Sequence, residues 1–273
     1  TFNGKIVDNC SFFSFDFTGF IMITKCGKTN TGLVRKNNED CIYVGEQPCF
    51  ILADGMGGYA GGETASRLAV SSVRNSLEQE SLSSITEETL SESFQEANQA
   101  ILAKKAESPD LSSMGTTLLT AVVHDNCLYW AHVGDSRLYL LENGTFRQLT
   151  EDHSFVMQLV KQGEITREEM RTHPRRNEIT RAVGITSELK VDTGHLPFNN
   201  GAVMLLCSDG LTNMLTDEEI KASLQAHMTD TLDVCACVDD LMEKTYAAGA
   251  EDNVSVIIAY NESLQNGVND NHD

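Results

Sequence analysis

Apolar residues in this chain fall into short runs closed by Gly, Asn or Asp, not into long stripes. The runs Phe20 to Cys26, Cys41 to Val44, Phe50 to Ala53, Thr116 to His124, Leu128 to Val133, Arg137 to Leu141, Val203 to Cys207 and Val254 to Ala259 are rich in β-branched and aromatic residues. They predict β-strands. Asn143-Gly144 follows one of them and predicts a hairpin turn. Between Gly62 and Glu107 the spacing becomes helical, twice, with a break near Ser81 to Thr86. Thr86-Glu-Glu-Thr89 resembles a capping box for the second helix, although Glu is not at the ideal third position. A further helical pair covers Asp217 to Ala226 and Asp230 to Ala248. Strands, a helix pair, strands and a second helix pair predict two packed sheets flanked by helices. One segment departs from this alternation: Lys161 to Glu188 is charged, carries His173-Pro174-Arg175-Arg176, and reads as too polar for core.

Composition narrows the classes of function. The chain has 273 residues, within the range of one domain, and 41% hydrophobic residues supply a sizeable core. Forty acidic against twenty basic residues leave a net charge of −20, which argues against a nucleic-acid partner. No apolar run reaches the ~18 residues of a membrane span. The aromatic start, Phe12-Phe-Ser-Phe-Asp-Phe17, lacks a basic n-region and does not read as a signal peptide. Residues 1–23 therefore stand as an N-terminal extension, with a first edge strand as the alternative. The polar tail at 262–273 is expected to be disordered. Eight cysteines show no zinc-type spacing and sit mostly inside apolar runs, so reduced thiols in a cytoplasmic protein are expected.

Five aspartates carry the candidate chemistry: Asp40, Asp54, Asp135, Asp209 and Asp252. Asp54, Asp135 and Asp209 each close a strand-like run, and Asp252 precedes another. Carboxylates at strand ends can converge however far apart they are in sequence. Several ionised carboxylates cannot share a buried site unpaired. Hard divalent cations resolve the conflict, and an all-oxygen donor set points to Mg²⁺ or Mn²⁺.

At these residues the chain resembles the metal-dependent protein phosphatases, the type 2C serine/threonine phosphatases. The strings Arg35-Lys-Asn-Asn-Glu-Asp40, Asp54-Gly-Met-Gly-Gly, Gly115-Thr-Thr, Val133-Gly-Asp135-Ser-Arg137, Ser208-Asp209-Gly210-Leu and Asp252-Asn-Val-Ser255 occur in the family's order and approximate spacing. The likeness covers about residues 24–261, and Met56 after Asp54-Gly resembles the bacterial branch. It implies an α+β fold, a four-layer α-β-β-α sandwich of two antiparallel sheets flanked by helix pairs. It places a mobile flap at about 161–188.

The resemblance also implies a site. Asp54 bridges two core ions and the Gly55 carbonyl ligates one of them. Asp209 and Asp252 complete the first ion's shell, and Asp40 serves the second, with Glu39 as a nearby substitute. Asp135 joins Asp209 at a third, weaker ion. A hydroxide bridging the core ions attacks phosphorus in line, without a phosphoenzyme, and Arg35 grips the phosphate with its bidentate fork. For Arg35 a surface salt bridge is the alternative. Met56 and Tyr59 stand where relatives carry histidine for leaving-group protonation; Met56 has no proton to give, the Tyr59 hydroxyl is a poor acid at neutral pH, and water, His153 and His173 are the other candidates. The implied partners are phosphorylated Ser/Thr proteins opposing a Ser/Thr kinase, met by a monomer with no nucleic acid and no membrane.

Two rival functions are weaker. Gly55-Met-Gly57-Gly-Tyr-Ala60 fits a loose dinucleotide-binding pattern. No second strand ending in an acid follows about twenty residues on, because Glu78 and Glu80 close a helical run. A degenerate binding module would be expected to lose metal ligands, and all five aspartates are present.

Overall fold

The protein is described here as a computed structural model, whose described residues are 14–15, 22–58, 61–227 and 233–262. In chain order these form β1 (Ser14–Phe15), β2 (Met22–Asn30), β3 (Asp40–Val44), β4 (Cys49–Met56), α1 (Gly61–Leu77), α2 (Glu87–Glu107), β5 (Gly115–Thr116), β6 (Leu118–His124), β7 (Cys127–Val133), β8 (Arg137–Glu142) and β9 (Thr145–Gln148). The remaining elements are α3 (Phe155–Gln162), α4 (Arg167–Met170), β10 (Asp192–Pro197), β11 (Val203–Cys207), α5 (Asp209–Thr212), α6 (Asp217–His227), α7 (Val234–Ala247) and β12 (Val254–Asn261).

Two antiparallel sheets face each other. One has the order β1-β2-β12-β11-β8-β9, the other β10-β7-β6-β4-β3, with β5 paired to β4. Three apolar clusters make the four layers. Phe50, Leu52, Leu119, Leu138, Leu206 and Ile257 fill the space between the sheets. Ile51, Val73, Leu90 and Phe94 bind α1 and α2 to the outside of the second sheet. Leu205, Ile220, Leu224 and Leu241 bind α6 and α7 to the outside of the first. Alternate residues of β4 serve different layers, Phe50 and Leu52 inward and Ile51 and Ala53 towards the helices. A strand buried on both faces reads as a continuous apolar run. The expected α-β-β-α sandwich is the observed fold.

Local chemistry sets the element boundaries. Asn143 and Gly144 both have positive φ, 50° and 74°, and join β8 to β9 in the expected hairpin. The α2 cap is a true capping box, but Thr89 itself completes it: its hydroxyl accepts the Thr86 N–H at 2.7 Å. Two strands lie outside the expected runs. Thr145–Gln148 and Asp192–Pro197 are edge strands, short or polar enough to lack an apolar signature.

Two other expectations are corrected. The charged segment is not devoid of core: Val156, Met157 and Met170 bury a small cluster of their own with Phe155, Val160 and Ile165. The excursion also starts earlier than expected, at Ser154, which caps α3 and bridges to Ile179. The cysteines are not all reduced, because Cys26 of β2 and Cys235 of α7 form a disulfide. α7 packs its Cys235 side over β2 while Cys237 turns into the core, bringing the two Cα atoms to 5.3 Å across 209 residues of sequence. Cys41, Cys49, Cys127, Cys207 and Cys237 remain thiols. Of residues 1–23, Ser14–Phe15 form the edge strand β1, and Met22 and Ile23 already belong to β2, with Ile23 buried between the sheets; the rest of that stretch, the tail beyond Glu262 and the start of α7 at Asp230 lie outside the described residues.

Candidate metal centre

The five aspartates converge where strands of both sheets end on the same side of the sandwich. Asp40 and Asp54 are direct partners across β3 and β4. Asp209 opens α5 after β11, Asp135 follows β7, and Asp252 precedes β12. Asp54 is pinned through its backbone: its N–H donates to Thr117 Oγ1 at 2.9 Å, and its carbonyl accepts from the Thr117 N–H and the Thr116 hydroxyl, both at 2.8 Å. This explains the Gly115-Thr-Thr string. Gly55 lies so close to the start of α1 that a Cβ there would stand 2.1 Å from the Gly62 carbonyl oxygen. Only glycine fits.

Burial and mutual repulsion raise the pKa of these carboxyls together. Burial first, and then Asp40, Asp209, Asp135 and Asp252, push the Asp54 carboxyl well above its usual range. Burial and Asp209 do the same to Asp135. Asp209 is raised to about 6 by burial and Asp252, and Asp40 to about 7 by burial despite two hydroxyl donors. Those donors are Ser208 and Ser255, at 2.9 and 2.6 Å from Asp40 Oδ2. Asp40 Oδ1 is buried with no partner among the described residues. An orphaned carboxylate oxygen beside other raised carboxyls suits a cation and little else. The donor set is all oxygen and fits Mg²⁺ or Mn²⁺.

Arg35 stands at the rim, its side chain 55% exposed, and donates to Asp252 Oδ2 at 2.7 Å. The salt bridge weighed as its alternative therefore exists, and it is made to a member of the cluster. Asn253 steers the loop that carries Arg35. Its Oδ1 accepts the Glu39 N–H, and its amide donates to the Thr31 and Asn37 carbonyls at 2.9 Å each. Sequence reasoning passed over Ser208, Ser255 and Asn253, although all three stand inside the quoted strings. Glu39 is half-buried, and its carbonyl accepts from Gly55 N–H and from the Ser66 hydroxyl.

A groove of about 470 Å³ leads from Asp135 and Asp209 under the charged segment, lined also by Arg167, Arg171 and Arg176. Arg171 latches that segment to the end of α5, donating to the Thr212 and Leu215 carbonyls at 3.0 and 3.1 Å. His153 is 3% exposed, with both ring nitrogens engaged by Asp192 and Gly134, so it is not free to protonate a leaving group. His173 accepts the Arg175 N–H through Nδ1 within the same charged segment. Tyr59 lies outside the described residues.

Comparison with known proteins places this arrangement. The sequence profile of protein phosphatase 2C matches residues 35–245. The chain is 38% identical over 247 residues to the serine/threonine phosphatase stp of Listeria innocua, covering 88% of this chain and 96% of that protein. It is 37% identical over 239 residues to the serine/threonine protein phosphatase PstP of Mycobacterium tuberculosis, covering 88% of this chain and 45% of the relative. The crystal structure of M. tuberculosis PstP superposes with a TM-score of 0.82 at 37% identity, covering 89% of this chain and 99% of that one. The PstP catalytic domain in complex with two manganese ions gives 0.80 at 35% identity, again covering 89% and 99%. The chain belongs to the protein phosphatase 2C family.

Proposed function

We propose that this protein is a metal-dependent serine/threonine protein phosphatase that hydrolyses phosphoserine and phosphothreonine in proteins. The observation that carries the reading is the buried cluster of Asp40, Asp54, Asp135, Asp209 and Asp252 with Arg35 at its rim. Asp54, the Gly55 carbonyl, Asp209 and Asp252 would hold one core ion. Asp54 and Asp40, through its free Oδ1, would hold the other, with Glu39 close by. Asp135 and Asp209 would hold a third. When bound, the ions lower the pKa of water and neutralise charge on the phosphoryl oxygens.

The chain's own residues do the rest. Arg35 presents a planar fork to the phosphate, and its tie to Asp252 sets the direction from which it does so. Water is the nucleophile on this reading, because the nearby hydroxyls are committed. Ser208 and Ser255 are buried donors to Asp40, and Thr117 and Ser136 bond each other at 2.8 Å. No phosphoenzyme is needed. The groove beneath Arg167 and Arg176 suits the peptide on one side of the phosphoresidue. The leaving hydroxyl takes its proton from water. No described helix is long and apolar enough to cross a membrane. We further propose a monomer acting in the cytoplasm against the products of a Ser/Thr kinase.

The test is release of phosphate from phosphoseryl and phosphothreonyl peptides with Mn²⁺, with Mg²⁺ and with chelator. Activity is expected with either ion and none with chelator. Turnover that persists in protein shown by elemental analysis to be metal-free sinks the proposal.

A further inference from the structure

Beside the acid cluster lies a second group of ligand-type side chains that the reaction leaves unused. His132, His153 and Asp192 are the one trio of His, Cys or carboxylate ligand atoms among the described residues within 4.8 Å of one another. His132 and Asp192 are direct partners across β7 and β10. The two imidazole centroids lie 4.3 Å apart. His132 Nδ1 is buried without a partner among the described residues.

The trio has the composition of a transition-metal site, but its hydrogen bonding argues for another role. The Gly134 N–H donates to His153 Nδ1 at 3.0 Å, so that nitrogen carries no proton. The proton of the neutral ring is then on Nε2, which donates to Asp192 Oδ2 at 3.0 Å. A cation on Nε2 would drive the proton to Nδ1 and set it against the Gly134 N–H, donor facing donor. Arg181 completes the chain by donating to Asp192 Oδ1 at 2.6 Å. Burial keeps both imidazoles below their usual pKa, in line with neutral rings.

The end of this chain is Gly134, the residue before Asp135. Gly134 is held twice, because its carbonyl also accepts the His153 N–H at 2.8 Å. Its φ of +116° excludes other residues, and an added Cβ would stand 2.6 Å from the Thr117 side chain. On the far side of Asp135, Asp152 grips Arg137 with contacts of 2.6 to 3.1 Å. The dipeptide Asp152-His153 therefore holds the segment on both sides of Asp135, at Gly134 one residue before it and at Arg137 two residues after it.

We infer that His153, braced by Asp192, is a positioning residue that aims Asp135 and so sets the affinity of the outer, third cation position without altering the two core positions. This rests on the reading of Asp135 as a ligand given above.

The test is calorimetric titration of Mn²⁺ into metal-stripped protein, with thermal unfolding as a control. His153→Leu is expected to weaken the weakest binding step about tenfold, the scale of one lost buried hydrogen bond, and to leave the tight steps in place. His153→Asn places an amide oxygen near the former Nδ1 and should recover most of the loss. Asp192→Asn should shift the same step by about threefold. An unchanged weak step in His153→Leu, loss of the tight ions as well, or no recovery in His153→Asn overturns the inference. If His153→Leu does not fold, Asp192→Asn decides: a weak step equal to wild type overturns it. Zinc found in the purified protein and lost in His132→Phe overturns it too, by making the trio a metal site. A wild type that binds two ions and no third overturns this inference alone, whereas one that binds no manganese overturns the phosphatase reading with it.

Discussion

Asp40 and Asp54 sit directly opposite each other on adjacent antiparallel strands. Like charges in that position repel, and here both are also buried. The serines that donate to Asp40 satisfy one of its oxygens, and no group among the described residues satisfies the other. The pair is stable as two carboxylates only with positive charge between or beside them.

That relationship gives the metal-free protein a definite pH dependence. Asp40 and Asp209 titrate at about 7 and about 6 in the folded state, against 3.8 unfolded. The folded state therefore binds more protons than the unfolded one between those values, and the cluster's contribution falls as pH rises from about 4 to about 7. Bound Mn²⁺ should cancel the loss. The gain in Tm on adding Mn²⁺ is expected to be larger at about pH 7.5 than at about pH 5. Differential scanning fluorimetry at the two pH values checks this, and an equal gain at both speaks against an apo cluster strained by charge.

The aspartates should be unequal. Asp54 faces four other carboxylates, and Asp209 stands between Asp54 and Asp252, so Asp54→Asn and Asp209→Asn should abolish turnover. Asp135→Ala should lower kcat roughly 10–100-fold and retain two tightly bound ions. Metal analysis after gel filtration, alongside peptide kinetics, separates the cases. An Asp135→Ala protein emptied of all metal would show that Asp135 belongs to the core pair.

Arg35 should matter for the phosphate more than for the fold. Its guanidinium is exposed and its ion pair with Asp252 lies at the rim, where such pairs contribute little stability. Arg35→Ala is expected to cut kcat/KM by roughly 10–100-fold, mostly through KM, with Tm nearly unchanged. Arg35→Lys restores charge without the fork and should recover only part of the loss. Full recovery by lysine would remove the case for bidentate contact.

The Cys26–Cys235 bridge closes a loop of 209 residues between the first described long strand and the last helix. A cross-link over so long a loop restricts the unfolded chain and should stabilise the fold by about 2–5 kcal/mol. Reductant is expected to lower the denaturant midpoint of the wild type and leave a Cys26→Ser/Cys235→Ser variant unaffected. Thiol counting by mass spectrometry on the unreduced protein provides the second reading, and finding all eight cysteines alkylated would exclude the bridge.

Much of the architecture is written in local pattern. The strands of the two sheets alternate or run apolar where they face one or two buried layers, and the helix pairs carry the spacing their clusters require. The aspartates were legible for the same reason: a carboxylate that closes an apolar run lies at a strand end, and strand ends of packed sheets share an edge. Elements governed by long-range partners left no such trace. β10 is polar because it is an edge strand, and its place beside β7 depends on a pairing some sixty residues away in sequence. The Cys26–Cys235 bridge, the two serines on Asp40 and the Asn253 anchor all join residues more than 160 positions apart or bond to a distant backbone. His153 looked like any surface histidine until the fold set one nitrogen against Gly134 and the other against Asp192. Residue type and periodicity determine which groups can form a strand, a cap or a ligand. Only the packed chain decides which of those groups meet, because hydrogen bonds and charge interactions act over a few ångströms of space and not along the sequence.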